Sequence, residues 1–578
     1  MDRTLLHARA VIEELGDFGH IRSPAKCAAR IGQAFSQTLS AITISGDAIM
    51  RIPDVERNGR TFSDGCGTCS PDVLAQVWEG YRGARGLKPT ILQIRFQGAK
   101  GVISLDSRLQ GEKLCLRRSM IKFEGSTDTN VEICGASNKP LPMYLNRQVI
   151  KILEDLKVPN EPFLRLQAAA VEELRQTTVS PLNASTFFHR NRIGTAARLS
   201  FLIKKLFYWG FDFIEDHFLR DTLETAVLVQ VREIKYRSRI LVGKGWTLYG
   251  IMDETGILKE NQIYCAAHLD HGIQVLTGNV VITRCPALHP GDIQVVEAIK
   301  VPEDNPLYYL HNVVVFSSYG DRDLPSKLSG GDLDGDLYNV IWDPDLYPKQ
   351  ISPPADYPIP EPINIGRPVE RGDMTKHFVT FMENDTLGMI ATLHQILADQ
   401  APTGTLDPTC IKLAGLHSSA VDFSKTGIPV SRMELPKYPK ARPDFQAPGP
   451  RVVIDKCVGF EASEDPIDTP IETDEMDEAN SFGPPRIRYY PSNKVLGKLY
   501  RAIDEHKFFA QIQKQSSRVE KQDHSLIERV WQYVSKKAAL IEWTHYTDFA
   551  KTVKEKSAPS SLRPPSFPRI QIHSANIN

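Results

Sequence analysis

Three aspartates within five residues carry the clearest chemistry in this chain. The run Gly330-Gly331-Asp332-Leu333-Asp334-Gly335-Asp336 sets carboxylates at alternate positions. Gly335 lets the backbone turn tightly enough for Asp332, Asp334 and Asp336 to converge. Carboxylates this close repel one another, and a bound divalent cation is the usual way to keep them ionised together. Oxygen-only donors favour a hard ion, Mg2+ above all. An EF-hand register fails. With Asp332 as position 1, Leu337 stands at position 6 where Gly is needed, and Asp343 stands at position 12 where Glu is needed. A solvated acidic turn fits poorly as well, because Val313-Val314-Val315-Phe316 precedes the cluster and Leu337-Tyr338-Asn339-Val340-Ile341-Trp342 follows it.

The elements that must position this cluster can be read from apolar periodicity. Residues 226–345 are strand-rich, with short runs at 226–231, 239–242, 279–283, 292–296 and 312–316 separated by Gly, Pro, Asn and Asp. Such spacing predicts a barrel or a compact mixed sheet. A second strand-rich region starts near Thr90: Ile91–Phe96, a turn at Gly98-Ala99-Lys100-Gly101, Val102–Asp106, then Leu114–Arg117. Helical spacing marks 3–15, 25–36, 145–177, 195–208, 371–398 and 491–555. His189, Arg190, Arg192, Arg198, Lys204 and Lys205 form a basic surface that suits solvent or phosphate equally. A Pro-rich stretch covers 434–450, and residues 461–480 hold nine acidic side chains and no basic one, which predicts a disordered linker.

Composition narrows the class. The chain has 578 residues, net charge −1, 41% hydrophobic and 24% charged residues. These values exclude a wholly disordered chain, a collagen-like repeat and a small disulfide scaffold. No stretch approaches the roughly 20 apolar residues of a membrane span, and no apolar segment follows Met1 as in a secretory signal. The nine cysteines are odd in number and scattered, which fits reduced thiols in a nuclear or cytoplasmic, non-secreted protein. Cys66-Gly67-Thr68-Cys69 lacks a second ligand pair and reads as structural rather than as a zinc site.

The segment Gly320–Tyr338 as a whole resembles the catalytic segment of the eukaryotic RNA-dependent RNA polymerases of RNA silencing, of the fungal quelling type. Further matches follow in order: Phe62–Cys66, Gln93–Gly101, Leu116–Phe123, Leu145–Gln148, Asp253–Gly256, Thr283–Asp292, Leu416–Gly427 and Tyr490–Tyr500. Together they span roughly residues 20–500. Two departures stand out. Ala287 replaces a usual Cys, and Gln97-Gly98-Ala99 replaces a pair of glycines. The chain is also shorter at its N-terminus than is usual in that family.

The resemblance implies an α+β fold in which two double-psi β-barrels in one chain form the catalytic core, with flanking helical domains. On that reading 1–87 is an N-terminal helical or mixed region, 88–145 the first barrel, 146–225 a helical connector and 226–345 the second barrel. Residues 346–455 form a helical and loop region, 456–485 the acidic linker, 486–556 a C-terminal helical region and 557–578 a flexible tail. The implied catalytic and metal residues are Asp332, Asp334 and Asp336, holding Mg2+, with Mn2+ as a substitute. Lys100 and Lys122 would bind nucleotide phosphate, with Arg95 and Arg117 as weaker candidates. Arg284, His289 and Lys425 would touch nucleotide or template, although a structural hydrogen bond suits a lone histidine equally. Asp292 would position its loop, and Asp253 and Glu254 would brace the second barrel. Implied partners are a single-stranded RNA template, ribonucleoside triphosphates, a double-stranded RNA product, and the Dicer and Argonaute proteins of the silencing pathway, with no membrane. Two rival functions use the same triad or none: a metal-dependent nuclease, and a catalytically silent RNA-binding scaffold.

Overall fold

The structure is a computed structural model that describes residues 8–35, 38–80, 87–439, 441–448, 452–455, 459–462, 488–516, 525–539, 547–549 and 551–552. Most of the acidic stretch 461–480 and the tail beyond 552 lie outside the described residues. The chain divides into two units, one of residues 1–173 and 230–505, the other of residues 174–229 and 506–578. All the strands of the two large sheets belong to the first unit.

The first sheet has seven strands: β1 (Leu39–Thr43), β2 (Ile49–Ile52), β3 (Cys66–Cys69), β4 (Ile91–Phe96), β5 (Ala99–Leu105), β6 (Leu114–Arg117) and β7 (Asn130–Ala136). Their spatial order is β1-β7-β4-β5-β3-β6-β2. Side chains alternate across β4 with period two. Leu92, Ile94 and Phe96 enter the core of this sheet with Ile103, Leu116 and Ile133. Ile91 points the other way, into a cluster with Val102, Tyr264, Val313 and Val315 that joins the two sheets. Each such fully buried side chain contributes roughly 1.5–3 kcal/mol. Gln93 shares the face of Ile91 and therefore looks toward the second sheet.

The second sheet contains β8 (Leu141–Leu145), β9 (Ile240–Met252), β10 (Gln262–Leu269), β11 (Gly272–Val275), β12 (Gly278–Arg284), β13 (Ile293–Ala298), β14 (Val313–Phe316) and β15 (Leu337–Ile341). The path runs β8-β9-β14-β10-β13-β12-β15, and β15 pairs again with β9, so six strands close on themselves. The enclosed core includes Val280, Ile282, Val314, Phe316, Tyr338 and Val340. Phe62 and Cys66, from the chain that feeds the first sheet, enter this same core.

Two expectations change. The strand expected at 226–231 is part of a 21-residue helix, His217–Arg237. Leu219, Leu223, Val227, Leu228, Val231 and Ile234 are buried at helical spacing there, and that spacing prevails over the strand preference of the short Val/Leu run. The strand boundaries shift as well. The first sheet recruits β1, β2 and β3 from before residue 88, and β8 (Leu141–Leu145) pairs with β9 of the second sheet rather than with the first. Cys66 and Cys69 are free, buried thiols on β3, and burial pushes both up to about 12.

Candidate active site

The aspartate loop connects a short helix, Leu324–Lys327, to β15. Leu333 is 1% exposed and pins the middle of the loop into the core, so the flanking aspartates turn outward from it. Within the loop, the Asp334 N–H donates to Asp332 Oδ1 at 3.1 Å, and the Asp332 N–H donates to Asp336 Oδ2 at 2.9 Å. The Tyr338 hydroxyl, opposite Arg284 across the β12–β15 pair, donates to the Asp332 carbonyl at 2.7 Å.

The first sheet reaches the loop through four side chains or backbone groups. Lys100 Nζ lies 2.7 Å from Asp334 Oδ2. Gln93 Nε2 donates to the Asp334 carbonyl at 3.2 Å. The Leu333 N–H donates to the Asp64 carbonyl at 2.8 Å. Gly65 has φ +85°, and a Cβ there would lie 2.4 Å from the Asp334 Cβ, so only glycine allows this approach. Lys100 is itself aimed by a tight hairpin turn. Gln97 and Gly98 both have positive φ, as a two-residue turn between antiparallel strands requires. The Lys122 N–H donates to the Gly98 carbonyl at 2.9 Å, which ties the second lysine to the turn that carries the first. Ser119 completes the frame: its N–H and hydroxyl bond Asp54 at 2.9 and 2.6 Å, and its Oγ accepts from the Gly65 N–H at 3.1 Å.

From the second sheet, Arg284 at the end of β12 sets Nε 2.7 Å from Asp336 Oδ2. The same guanidinium donates to the Ser329 carbonyl at 3.1 Å. The helix Pro408–Thr426 brings Lys425 near its C-terminus, and Lys425 contributes to holding Asp334 ionised.

These neighbours give the three carboxylates unlike proton affinities. Burial, reinforced by Asp334 and Asp336, pushes the Asp332 carboxyl up to about 8. Burial also works against the Asp334 charge, but Lys100 and then Lys122 outweigh it and hold that group below the usual carboxylate range. Burial lowers the affinity of the Lys122 amine for its proton, against the pull of Asp64 and Asp334. At Arg284 the ion pair with Asp336 prevails over burial.

Asp332, Asp334, Asp336, Lys100, Lys122, Arg284 and Lys425 are thus brought to one place. Three other candidates are not. Arg95 donates to the Ile94 carbonyl at 3.0 Å, and its buried Nε has no partner among the described residues. Arg117 is 3% exposed and forms a two-pronged pair with Glu254 at 2.8 Å on each arm, while also donating to the Cys66 carbonyl at 2.9 Å. It ties β6 to the segment after β9 and is closed to phosphate, because a buried charge is retained by its partner. His289 accepts the Gly291 N–H on Nδ1 at 2.9 Å, and burial disfavours its charged form. Asp292 braces that loop, accepting from the Leu288 and His289 N–H groups at 3.0 and 2.9 Å and from the Tyr357 hydroxyl at 2.8 Å.

Sequence reasoning passed over Asp64 and Arg30. Asp64 acts on Asp332 and Lys122, and burial raises its carboxyl. Arg30, on the helix Pro24–Gln33, feels Asp334 and has a buried Nε without a partner among the described residues. Asp64 stood inside the quoted Phe62–Cys66 run and could have been found there; Arg30 carried no local signal.

The donors are all oxygens, which suits a hard cation. In the arrangement seen, Lys100 and Arg284 supply the countercharge, and no group of three His, Cys, Asp or Glu side chains is gathered into a metal cage among the described residues. The raised carboxyl of Asp332 reflects burial first and the two neighbouring carboxylates second.

Comparison with known proteins places this architecture. A family model described as RNA dependent RNA polymerase matches residues 1–503. The chain is 34% identical over 497 residues to the probable RNA-dependent RNA polymerase 1 of Oryza sativa subsp. japonica, covering 85% of this chain and 61% of that one. It is 36% identical over 450 residues to the RNA-dependent RNA polymerase 1 of Arabidopsis thaliana, covering 76% and 39%. It is 32% identical over 481 residues to the RNA-dependent RNA polymerase 1 of Schizosaccharomyces pombe, covering 76% and 38%. The chain therefore spans less than two thirds of the length of these relatives. Among solved structures, the RNA dependent RNA polymerase QDE-1 from Thielavia terrestris shares the fold with a TM-score of 0.60 and 21% identity, over 75% of this chain and 52% of that one. The chain belongs to the RNA-dependent RNA polymerase family.

Proposed function

We propose that this chain carries the catalytic core of an RNA-directed RNA polymerase that copies single-stranded RNA into double-stranded RNA for gene silencing. One observation carries the reading: a three-aspartate loop on one sheet is met at 2.7 Å by a lysine from the other. The two sheets would be the two double-psi β-barrels of such a core. The closed β9-β14-β10-β13-β12-β15 ring supports that assignment for the second.

Asp332, Asp334 and Asp336 would hold Mg2+, or Mn2+ in its place. When bound, the metal would activate the 3′-hydroxyl and neutralise the triphosphate and the departing pyrophosphate. The protein's own groups do the rest. Lys100 has a flexible stem and can exchange the Asp334 oxygen for a phosphate oxygen of a ribonucleoside triphosphate. Lys122, held to the same turn through its N–H, adds a second positive charge, and its burial strengthens the attraction by excluding water. Arg284 restrains Asp336 and, with Lys425, contributes positive potential where nucleotide or template would lie. Asp64 adds negative potential beside Asp332. Template sequence is read by base pairing and needs no base-specific side chain.

No helix among the described residues is long and apolar enough to cross a membrane. A nuclear or cytoplasmic setting with Dicer and Argonaute proteins downstream fits this reading. The test is labelled-nucleotide incorporation on single-stranded RNA with Mg2+, wild type beside Asp336→Ala. Long product from wild type alone supports the polymerase. Shortening of the input RNA would favour a nuclease, and RNA binding without turnover would favour a scaffold.

A further inference from the structure

The second unit presents a surface that the catalytic reading does not use. Its helices Pro181–Arg190 and Leu199–Tyr208 pack as a hairpin. Leu199, Ile203 and Leu206 face inward at i, i+4 and i+7. The outward side carries a stripe of Phe201, Lys204, Lys205 and Tyr208, at i, i+3, i+4 and i+7, so they line one face of the helix, and Leu202 and Phe207 are exposed on either side of it. Phe201 is 57% and Tyr208 65% exposed, where aromatic rings are ordinarily buried. Trp209 follows at 40% exposure.

The charge on this face is one-sided. No Asp or Glu occurs from residue 174 to 211. Arg198, Lys204 and Lys205 are exposed, and among the described residues none is paired with a carboxylate. Lys205 Nζ instead lies 5.4 Å from the centre of the Phe201 ring. The stripe therefore alternates ring, cation, cation, ring along roughly 10 Å of helix.

We propose that this face binds single-stranded RNA, with bases stacked on Phe201 and Tyr208 and phosphates paired with Lys204, Lys205 and Arg198. An unpaired strand offers flat rings and anionic phosphates in alternation, and the stripe offers the complement of both. A lipid surface fits less well, since an interfacial helix keeps its cations on the polar face, whereas Lys204 and Lys205 sit between the rings. A duplex fits less well too, because its bases are stacked inside and leave the rings without a partner. The choice of RNA as the strand rests on the polymerase reading. The surface would hold template or product RNA.

The experiment is fluorescence anisotropy of a labelled 20-nucleotide oligouridine with the full chain, across a salt series. Lys204→Glu/Lys205→Glu weakens binding at least ten-fold and flattens the logarithmic salt slope by about 1.4, the value for two phosphate contacts on a single strand. Phe201→Ala and Tyr208→Ala each weaken it roughly ten-fold, the loss expected for one stacked base. These positions are exposed, and circular dichroism confirms that the variants fold. Binding of the charge-reversed variant within two-fold of wild type overturns the proposal. So does a loss confined to phosphatidylserine vesicles, with oligouridine binding intact. Nucleotide incorporation by the wild type is scored in parallel; its failure would count against the polymerase reading, while the anisotropy still decides this one.

Discussion

The two sheets meet at the aspartate loop with opposite charge and different kinds of residue. The second sheet supplies three carboxylates on a loop pinned by Leu333, and balances one of them with its own Arg284. The first supplies two lysines, Lys100 beside a hairpin turn and Lys122 tied to that turn through its N–H, and a glycine, Gly65, that clears the way for Asp334. A second contrast runs between two arginines. Arg284 pairs with Asp336 at the loop, while Arg117 pairs with Glu254 inside the protein and holds the sheets together. The residue type is the same in both cases. Burial and the identity of the carboxylate separate a group of the site from a structural tie.

The largest expected effect falls on the carboxylate side. Asp334→Ala should lower nucleotide incorporation by about a thousand-fold, because the residue is proposed both to hold the metal and to face Lys100. Steady-state incorporation on single-stranded RNA measures this, and activity within ten-fold of wild type would break the assignment. On the cation side, Lys122→Met should cost roughly a hundred-fold in the same assay, the scale of losing one preorganised charge at a transferring phosphate. Its folding stability should hold or rise, since burial already works against the Lys122 charge. A urea midpoint that falls with the activity would assign Lys122 to structure instead.

Arg117→Ala should act on the fold before the chemistry. It strands Glu254 and should destabilise the protein by about 3 kcal/mol, read from urea unfolding. An unchanged midpoint would mean that the tie between the sheets is weak. A further effect is one of pH. Asp332 is held above the ordinary carboxylate value, so the metal-free fold keeps a proton that the unfolded chain has released. Its contribution is present near pH 4 and is lost as pH rises toward about 8. The urea midpoint should therefore decline over that window, and Asp332→Asn should flatten the decline. The same proton must leave before the carboxylate can bind a cation, so Mg2+ affinity should climb over the same range.

The carboxylate loop was legible because its signal is local: alternate aspartates, a turn glycine and apolar flanks lie within thirty residues, roughly the scale of one supersecondary unit. The turn beside Lys100 was visible for the same reason, whereas the role of Lys100 came only from the family resemblance. Strand patterns also located most of β4, β5, β12, β13 and β14. The role of Arg117 was not visible, because its partner Glu254 is distant in sequence and only folding brings the two together. Arg30 was hidden likewise: it lies on an N-terminal helix and meets Asp334 only across the fold. The run Ala226–Val231 misled because a short apolar stretch reads as strand or helix until its neighbours at helical spacing are buried with it. Closure of the second sheet could not be read either, since it depends on β9 pairing with both β14 and β15.

The central claim is that catalysis needs both sheets, and Lys100 tests it most directly. A template strand of defined sequence, annealed to a labelled primer, is given one complementary ribonucleotide with Mg2+, and single-nucleotide addition by wild type and Lys100→Ala is timed. The account predicts rapid addition by wild type and a loss on the order of a hundred-fold in the variant, with RNA binding and folding unchanged. Addition by Lys100→Ala at the wild-type rate would contradict it, and would leave the aspartate loop without the partner sheet that the structure sets against it.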